Sequence, residues 1–409
     1  MFGQDCLKCK GRLWCQLPSC PIIDSYQNLL QISHNVGEKA FTGSSPPSVF
    51  VSWNNYPKLG VAPLSPTQIN PNADLLDNPE KWFNLSAFEL ISLRQQLVSS
   101  FTNFDAFSAN NPSRNLAEIQ ELSMAVKPVD VNIELKKKPT IEVKFDSFAP
   151  PMGPKGELKN FGIQSIPKIP EKIDYIVSDT EAKTIDGLKE LYKANIPVHA
   201  LYKLMSIGLL GVKKNRKLVP TRWSITATDS LLSNSFLEKI KYFSQLDEIQ
   251  LFESTYLENH FFVLLIPGAW SFEQLEAWSP GSAWMQGEKD FRVISDFEFF
   301  KGRKNYAENV AGAYYSARLA ICEYLLKEKR QAIAIVFREI APSNTPPLGV
   351  WKIREAIREA VKKKPLVFFD LDLVLQFLEK KLVIPMPYWK KESKVLNEIK
   401  FQKKLTQFV

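Results

Sequence analysis

Residues 248–267 read EIQLFESTYLENHFFVLLIP and include the longest apolar run of the chain. The run FFVLLIP, at residues 261–267, is far shorter than the ~18 apolar residues that a membrane-spanning helix needs, and its length fits a buried β-strand. Glu248–Glu253 predicts a second strand, and Glu258-Asn259 predicts the turn between them. The stretch therefore predicts two strands inside a sheet.

The residues after this stretch predict one more strand among helices. A broad apolar face predicts a helix over Ala307–Arg330, and the apolar run Ala332–Phe337 predicts a buried strand. Two further helices are predicted at Gly349–Lys363 and Asp370–Lys381. The polar segment 390–400 predicts the end of the folded body and the start of a disordered tail.

The residues before it predict alternating elements. Ile173–Val177 and Ile196–Ala200 are predicted as strands on either side of a helix at Thr184–Asn195, an order similar to a βαβ unit. The apolar spacing of Trp82–Ser100 predicts a helix. The proline and glycine content of Ala149–Pro170 predicts a long loop, of a kind that is usually functional or a linker.

Two strand signals lie nearer the N-terminus. Val49–Val51 predicts a short strand in otherwise irregular chain, and the alternation in Val129–Phe145 predicts a hairpin. The predicted fold class is α+β: a mixed-sheet body with helices, an N-terminal four-cysteine zinc module and a flexible C-terminal tail. The predicted domains are a zinc-binding module (1–45), an α+β domain (46–300), a mostly helical domain (301–390) and the tail (391–409).

Four of the five cysteines lie close together in CLKCKGRLWCQLPSC, residues 6–20. Spacings of two, five and four residues let short loops wrap four thiolates around one tetrahedral ion, which favours structural zinc. Two disulfides, an iron–sulfur cluster or free thiols remain alternatives. The expected cofactor is Zn²⁺, with a structural role, and its expected ligands are Cys6, Cys9, Cys15 and Cys20.

Composition indicates an intracellular globular protein with a mild basic bias. The 45% hydrophobic and 23% charged residues are ordinary for a globular chain, and no room for a signal segment exists before Cys6. A net charge of +8 favours an anionic partner such as nucleic acid, although a solvated basic surface explains it equally well. The sequence lacks GxxxxGK[ST], GxGxxG, HExxH and GxSxG motifs, which disfavours ATP-dependent and serine-triad enzymes.

The segment KKNRKLVPTRWSITATD, residues 213–229, combines cations, an indole and hydroxyls. Cations contact phosphates, an indole stacks on a base, and hydroxyls donate to phosphate oxygens. A surface loop that leads into a capped helix is the alternative. The predicted nucleic-acid-binding residues are Lys213, Lys214, Arg216, Lys217, Arg222 and Trp223.

The segment PGAWSFEQLEAWSPGSAWMQGEKDF, residues 267–291, contains three tryptophans that either line a pocket or anchor the core. In the first case, arginines elsewhere in the chain would complete a cleft for a nucleotide, with a glutamate as base or electrostatic stabiliser. The candidate catalytic residues are Arg222, Arg303, Arg338 and Glu339.

The chain ends in FQKKLTQFV, in which a single 3₁₀ turn would align Leu405 and Phe408. The segment resembles the sliding-clamp (PCNA) interacting motif, Q-x-x-[LIM]-x-x-aromatic-aromatic, with Val409 in place of the second aromatic residue. A helix that packs on its own domain is the alternative. The residues expected to bind the clamp are Gln402, Leu405, Phe408 and Val409.

Several long segments resemble the archaeal Nre family of DNA-repair proteins. They are the cysteine cluster ending in PSCPI, MGPKGELKNFGI, KLVPTRWSIT, PGAWSFEQLEAWSPGSAW and the clamp-motif tail. The resemblance covers nearly the whole chain and implies a role in DNA repair.

We therefore expect a DNA-binding repair factor that the sliding clamp recruits. We expect it in the cytoplasm, and with the nucleoid after DNA damage. Two alternatives remain open. The first is an enzyme that acts on nucleotides or DNA, by ADP-ribosyl or nucleotidyl transfer and less readily as a nuclease. The second is an adaptor that does not bind DNA.

Overall fold

A computed structural model describes residues 12–13, 39–140, 153–278, 291–341 and 348–401. The four clustered cysteines and residues 402–409 lie outside these ranges. The described residues contain two six-stranded sheets and 11 α-helices, which confirms the α+β class and the mixed sheets. No helix in the described ranges is long and apolar enough to cross a membrane.

The chain divides near Ser233 into two compact units. The N-terminal unit comprises described residues up to Leu232, and the C-terminal unit comprises those from Ser233 onward. The predicted boundaries at residues 45, 300 and 390 stay a prediction.

The sheet of the N-terminal unit has the strand order β1-β5-β6-β4-β3-β2, and only its β4–β6 pair is parallel. Its strands are β1 (Ala40–Ser45), β2 (Ser48–Val51), β3 (Lys58–Ser65), β4 (Val98–Asp105), β5 (Val129–Leu135) and β6 (Lys155–Ile163). The short strand predicted at Val49–Val51 is confirmed. Of the predicted hairpin, the first arm is β5, and residues 141–145 lie outside the described residues.

The helices of this unit replace both predicted strands of the βαβ-like unit. They are α1 (Ala87–Gln95), α2 (Arg114–Met124), α3 (Glu171–Ser178), α4 (Thr184–Lys193), α5 (Val198–Ser206) and the first part of α6 (Thr221–Ile240). The strands predicted at Ile173–Val177 and Ile196–Ala200 are wrong, and the helix predicted between them is confirmed. Prolines precede α3 and α5, and a proline at a helix start supplies its fixed φ without losing a hydrogen bond.

The long loop predicted at Ala149–Pro170 is also wrong, because β6 occupies its centre. Leu158 and Phe161 are both buried, three positions apart, whereas a regular strand buries every second residue. The β5–β6 register shifts between Glu134 and Leu135 of β5, so that β6 holds an extra residue there. This β-bulge hides the alternation that would have identified the strand.

The helix predicted at Trp82–Ser100 is confirmed only in its centre. It begins after Ser86, whose hydroxyl and backbone form a capping box with Glu89, and it ends before β4 begins at Val98. The apolar residues at 97 and 98 belong to the core of the sheet instead.

A buried carboxylate ties three elements of the N-terminal unit together. Asp77 accepts hydrogen bonds from Ser48 and Arg94 and lies 3.3 Å from Lys203 Nζ. Burial alone would raise the pKa of Asp77, but Lys203, Arg94 and Ser48 together lower it below its ordinary value. A carboxylate whose pKa is lowered by folding stabilises the folded state above its unfolded pKa and loses that contribution as the pH falls.

We predict that Asp77→Asn lowers the free energy of unfolding by about 3–5 kcal/mol at pH 7, because the buried Lys203 and the partly buried Arg94 lose their counterion. Urea unfolding followed by circular dichroism measures this loss, and the gap from the wild type should narrow below about pH 4. Asp74→Asn is the control, since its pair with Lys81 is on the surface and contributes about 0–1 kcal/mol. Equal losses for both variants would contradict the prediction.

The sheet of the C-terminal unit has the order β10-β9-β11-β8-β7-β12, and only its β9–β11 pair is parallel. Its strands are β7 (Ile249–Tyr256), β8 (Asn259–Ile266), β9 (Ser271–Trp278), β10 (Arg292–Glu298), β11 (Ile333–Ile340) and β12 (Leu366–Phe368). The two predicted strands in residues 248–267 and the strand after them are confirmed. The predicted turn at Glu258-Asn259 is wrong by one residue, because Asn259 already begins β8. Leu257 and Glu258 form the turn, with φ of 49° and 57°, as a two-residue hairpin turn requires.

Helices cover both faces of this sheet. They are the end of α6, α7 (Gly312–Glu328), α8 (Trp351–Val361), α9 (Leu371–Lys381), α10 (Met386–Glu392) and α11 (Lys394–Phe401). α9, α10 and α11 pack with Leu275, Ile335 and Phe337 in one core. On the other face, Phe252 contacts Tyr324 of α7 and Tyr256 contacts Trp351 of α8.

The flexible tail predicted from residue 391 is wrong as far as residue 401. Trp389, Val395 and Leu396 are buried against the sheet. Two strand carboxylates fix this segment: Glu339 accepts from the backbone N–H groups of residues 383 and 384, and Glu273 accepts from those of residues 394 and 395. Of the polar residues that indicated disorder, Lys391 and Lys394 are exposed on short helices, α10 and α11, whose other sides are buried.

Candidate nucleic-acid interface

The predicted basic segment lies beside two other segments of the N-terminal unit. Backbone hydrogen bonds join it to them: Leu218 N–H donates to the carbonyl of Ala106 at 2.7 Å, and Ala106 N–H donates to the carbonyl of Pro57 at 2.8 Å. At the start of α6, Thr221 Oγ1 accepts from Val51 N–H at 2.8 Å. Residues 52–58, 105–108 and 213–223 therefore lie side by side.

These three segments carry large aromatic side chains that remain exposed. Large apolar side chains grouped on a surface usually mark a binding site. The exposed fractions are 54% for Trp53, 49% for Tyr56, 61% for Phe107 and 51% for Trp223.

Exposed cations lie on the same segments. Together with the four aromatic residues they define what we call the cation–aromatic surface, whose cations are Lys58, Lys213, Lys214, Lys217 and Arg222. The surface also includes the N-terminus of α6, a helix of 20 residues. The N-terminal end of a helix carries a partial positive charge that favours anions such as phosphate.

Arg216 differs from the other predicted cations because its guanidinium is occupied. Its Nε donates to the carbonyl of Gly211 at 2.7 Å, and its two Nη groups donate to the carbonyls of Val177 at 2.8 Å and Asp179 at 2.6 Å. These bonds fix the basic loop to the end of α3. The side chain therefore positions the surface rather than presenting its charge to a ligand.

No sequence pattern pointed to Trp53, Tyr56, Lys58 or Phe107. They lie more than 100 positions before the basic segment, on a hairpin turn and a 3₁₀ turn. Only the pairing of β2, β3 and β4 brings these two turns together. For Trp53, Tyr56 and Phe107, the one available signal was an aromatic residue in a turn with polar neighbours such as Asn54 and Asn55.

The four candidate catalytic residues are divided between the two units. Arg222 belongs to the N-terminal unit and the other three to the C-terminal unit. Arg338 and Glu339 are neighbours on β11, and their side chains point to opposite faces of the sheet. Arg338 bonds Glu276 and Asn259, whereas Glu339 accepts from the backbone of residues 383 and 384.

The guanidinium of Arg303 is bound to other groups than those around Arg338 and Glu339. It lies 2.9 Å from Asp296 Oδ1, donates to the carbonyls of Phe297 and Tyr306, and lies over the ring of Tyr314. These contacts hold the connection between β10 and α7 against both elements. The residue is therefore part of the packing of that connection.

The tryptophan-rich segment provides a core anchor. Trp270 is fully buried, stacks on Phe272 and donates its indole N–H to Glu298 at 3.0 Å. Trp278 ends β9, and Trp284 lies outside the described residues. The first tryptophan thus supports the core interpretation.

The zinc prediction falls outside the described residues, because all four of its cysteines do. In the part of the chain that is described, no group of His, Cys, Asp and Glu side chains is arranged to hold a metal. The fifth cysteine, Cys322, is buried in α7, and burial raises the pKa of its thiol. It is a core residue.

With this geometry established, comparison with known proteins defines the class of protein. The chain matches the profile of archaeal Nre, N-terminal, over residues 14–285, and that of archaeal Nre, C-terminal, over residues 298–408. The chain belongs to the archaeal Nre family.

Particular relatives match over most of their length. The chain is 35% identical to DNA repair protein NreB of Archaeoglobus fulgidus, across 96% of this chain and 97% of that protein. It is 36% identical to DNA repair protein NreA of the same organism, across 91% and 92%. It is 32% identical to DNA repair protein NreA of Haloferax volcanii, across 79% and 78%. No solved structure matches the chain.

Proposed function

We propose that this protein is a DNA-repair factor that binds single-stranded DNA through the cation–aromatic surface and is recruited by the sliding clamp through its C-terminal residues. The repair role is supported by relatives that are named DNA repair proteins. The observation that carries the DNA-binding proposal is the convergence of four exposed aromatic side chains and five exposed cations on three adjoining segments. A protein held on DNA in this way would accompany the nucleoid after damage.

The aromatic side chains favour a single strand over a duplex. Bases in a duplex are stacked on each other, whereas an unpaired base offers its face to an exposed ring. Each such stack contributes about 1–3 kcal/mol and tolerates any base. The neighbouring lysines and Arg222 would contact the phosphates, which contributes affinity without sequence preference.

We predict that changing Lys213, Lys214, Lys217 and Arg222 to Gln weakens binding to a single-stranded oligonucleotide and flattens its salt dependence. Four lost phosphate contacts should reduce the slope of log K against log salt by about 3. Fluorescence anisotropy over a series of salt concentrations measures both effects. Trp53→Ala and Trp223→Ala should each weaken binding about 5- to 100-fold and leave the slope unchanged.

The matched control changes four exposed lysines of the C-terminal unit to Gln, namely Lys327, Lys364, Lys380 and Lys391. It removes the same net charge and should leave the salt slope as in the wild type. Equal effects of the two sets of substitutions would indicate a general charge effect and would refute DNA binding at the cation–aromatic surface. Wild-type protein that binds the clamp but no DNA would instead favour the adaptor function.

Recruitment to the clamp is proposed from the sequence of residues 402–409. The preceding helix α11 is anchored in the C-terminal unit through Val395 and Leu396, so the motif begins directly after a folded element. A short segment that fills a hydrophobic pocket with two apolar side chains loses most of its affinity when both are removed.

We predict that Leu405→Ala with Phe408→Ala abolishes binding to the sliding clamp of the same cell, measured by isothermal titration calorimetry. Lys403→Ala with Gln407→Ala changes two positions that the motif leaves free, and it should bind as the wild type does. Binding that survives in a chain ending at Phe401 would refute the motif.

Structural zinc at Cys6, Cys9, Cys15 and Cys20 also remains part of the proposal. We predict one zinc ion per chain in protein purified without added metal, measured by plasma mass spectrometry. Cys9→Ser with Cys15→Ser should lose the metal, because two thiolates do not complete a tetrahedral site, whereas Cys322→Ser should retain it. Iron with a visible absorption band would establish the iron–sulfur alternative and refute zinc.

A further inference from the structure

The end of α6 and the connection between β10 and α7 meet on the C-terminal unit. Lys241 Nζ lies 5.1 Å from the centre of the Phe300 ring, and this contact joins the two segments. Lys241 directly follows α6, and Phe300 lies in the connection that follows β10. Both segments belong to the same unit, so their adjacency is part of its fold.

The connection after β10 begins with a turn. The carbonyl of Phe299 accepts from Gly302 N–H at 2.7 Å, which closes a four-residue turn. Gly302 has a φ of 80°, which a glycine adopts without steric cost. Phe300 and Lys301 form the centre of the turn, and both are exposed. An aromatic ring at the tip of an exposed turn adds nothing to the core, which indicates a role in binding.

Arg303 fixes the rest of the connection. Its Nη1 and Nη2 donate to the carbonyls of Phe297 and Tyr306, at 2.8 and 3.0 Å. Its guanidinium also pairs with Asp296, so its charge is used within the unit. The ring of Tyr306 stacks on that of Tyr315, with 5.4 Å between their centres. Tyr306 is therefore held in position while it remains exposed.

The exposed aromatic side chains of these two segments define what we call the C-terminal aromatic surface, which comprises residues 239–242 and 299–306. Tyr242 is 88% exposed and Phe300 is 47% exposed, and Phe299 and Tyr306 are exposed as well. Four large rings that are open to solvent on adjoining segments are typical of a binding surface.

The charge of this surface favours an anionic partner. Residues 299–306 contain three cations and no acidic residue. Arg303 is paired, but Lys301 and Lys304 are exposed, as is Lys239 in the last turn of α6. Exposed rings with cations beside them are the arrangement that binds single-stranded nucleic acid. An acidic peptide would pair with the lysines but carries no regular series of flat rings for the aromatic side chains.

We propose that the C-terminal aromatic surface is a second binding site for single-stranded nucleic acid, separate from the cation–aromatic surface of the N-terminal unit. Its rings stack on unpaired bases, and Lys239, Lys301 and Lys304 contact the phosphates. This inference rests on the proposed function, because both sites take the same class of ligand. It adds that one chain binds two separate stretches of single strand.

The number of short oligonucleotides bound per chain tests the second site. An oligothymidylate of about eight nucleotides is near the length that one such site covers. Isothermal titration calorimetry should find two of them per full-length chain. Phe300→Ala with Lys301→Gln and Lys304→Gln should leave one, because that site loses a stacking ring and two phosphate contacts. The four Gln substitutions in the cation–aromatic surface should also leave one.

The matched control is Phe369→Ala with Lys327→Gln and Lys380→Gln, which changes an exposed ring and two exposed lysines elsewhere in the same unit. It should still bind two oligonucleotides. Binding of the same number by the Phe300 variant and the wild type would overturn the second site and leave the cation–aromatic surface standing. A single oligonucleotide that only the Phe300 variant loses would instead overturn the cation–aromatic surface and support the site in the C-terminal unit.

A crosslinking experiment on the wild type does not depend on how a variant folds. Ultraviolet irradiation of an oligonucleotide that carries 5-iodouracil joins the base to an aromatic side chain that stacks on it. Mass spectrometry should find crosslinks at Tyr242, Phe300 or Tyr306, in addition to those in the N-terminal unit. Crosslinks confined to the N-terminal unit would overturn the second site.

Discussion

The burial of charge between the C-terminal sheet and its helices is the constraint on which the architecture of that unit depends. Helices cover both faces, so a charged side chain buried between the sheet and a helix has no direct access to water and needs a partner. Arg303 pairs with Asp296, Arg318 with Glu298 and Arg338 with Glu276. These pairs fix the connections and helices on one face of the sheet.

On the other face, strand carboxylates take backbone N–H groups as partners. Glu273 and Glu339 each accept two of them, and so hold α11 and the start of α10.

Sequence patterns predicted the elements whose burial is regular. The strands at 248–267 and the helices at 307–330, 349–363 and 370–381 follow apolar runs or stripes, and all are present. The patterns failed where an irregularity disturbed the period. The bulge in β6, opposite Glu134 and Leu135, hides the alternation of that strand. The short apolar runs of α3 and α5 fit a strand as well as a helix. Polar residues near the C-terminus suggested disorder because their anchors, Glu273 and Glu339, are distant in sequence.

Only part of the candidate interface was predicted, because sequence patterns detect residues that are close together in the chain. The basic segment was identified because its cations and Trp223 are consecutive. Trp53, Tyr56 and Phe107 join it only through strand pairing and backbone bonds. Arg216 was counted as a ligand-binding cation, but its bonds to three carbonyls show that it positions the loop. Residue type and spacing identify chemistry, but burial and hydrogen bonds decide which side chains are available to a ligand.

Hydrogen–deuterium exchange of the full chain, with and without a single-stranded oligonucleotide, tests the central claim most directly. DNA bound at the cation–aromatic surface should slow amide exchange in residues 52–58, 105–108 and 213–223 together, because these segments adjoin one another. DNA-dependent protection that leaves these three segments unchanged, and appears elsewhere, would contradict the account.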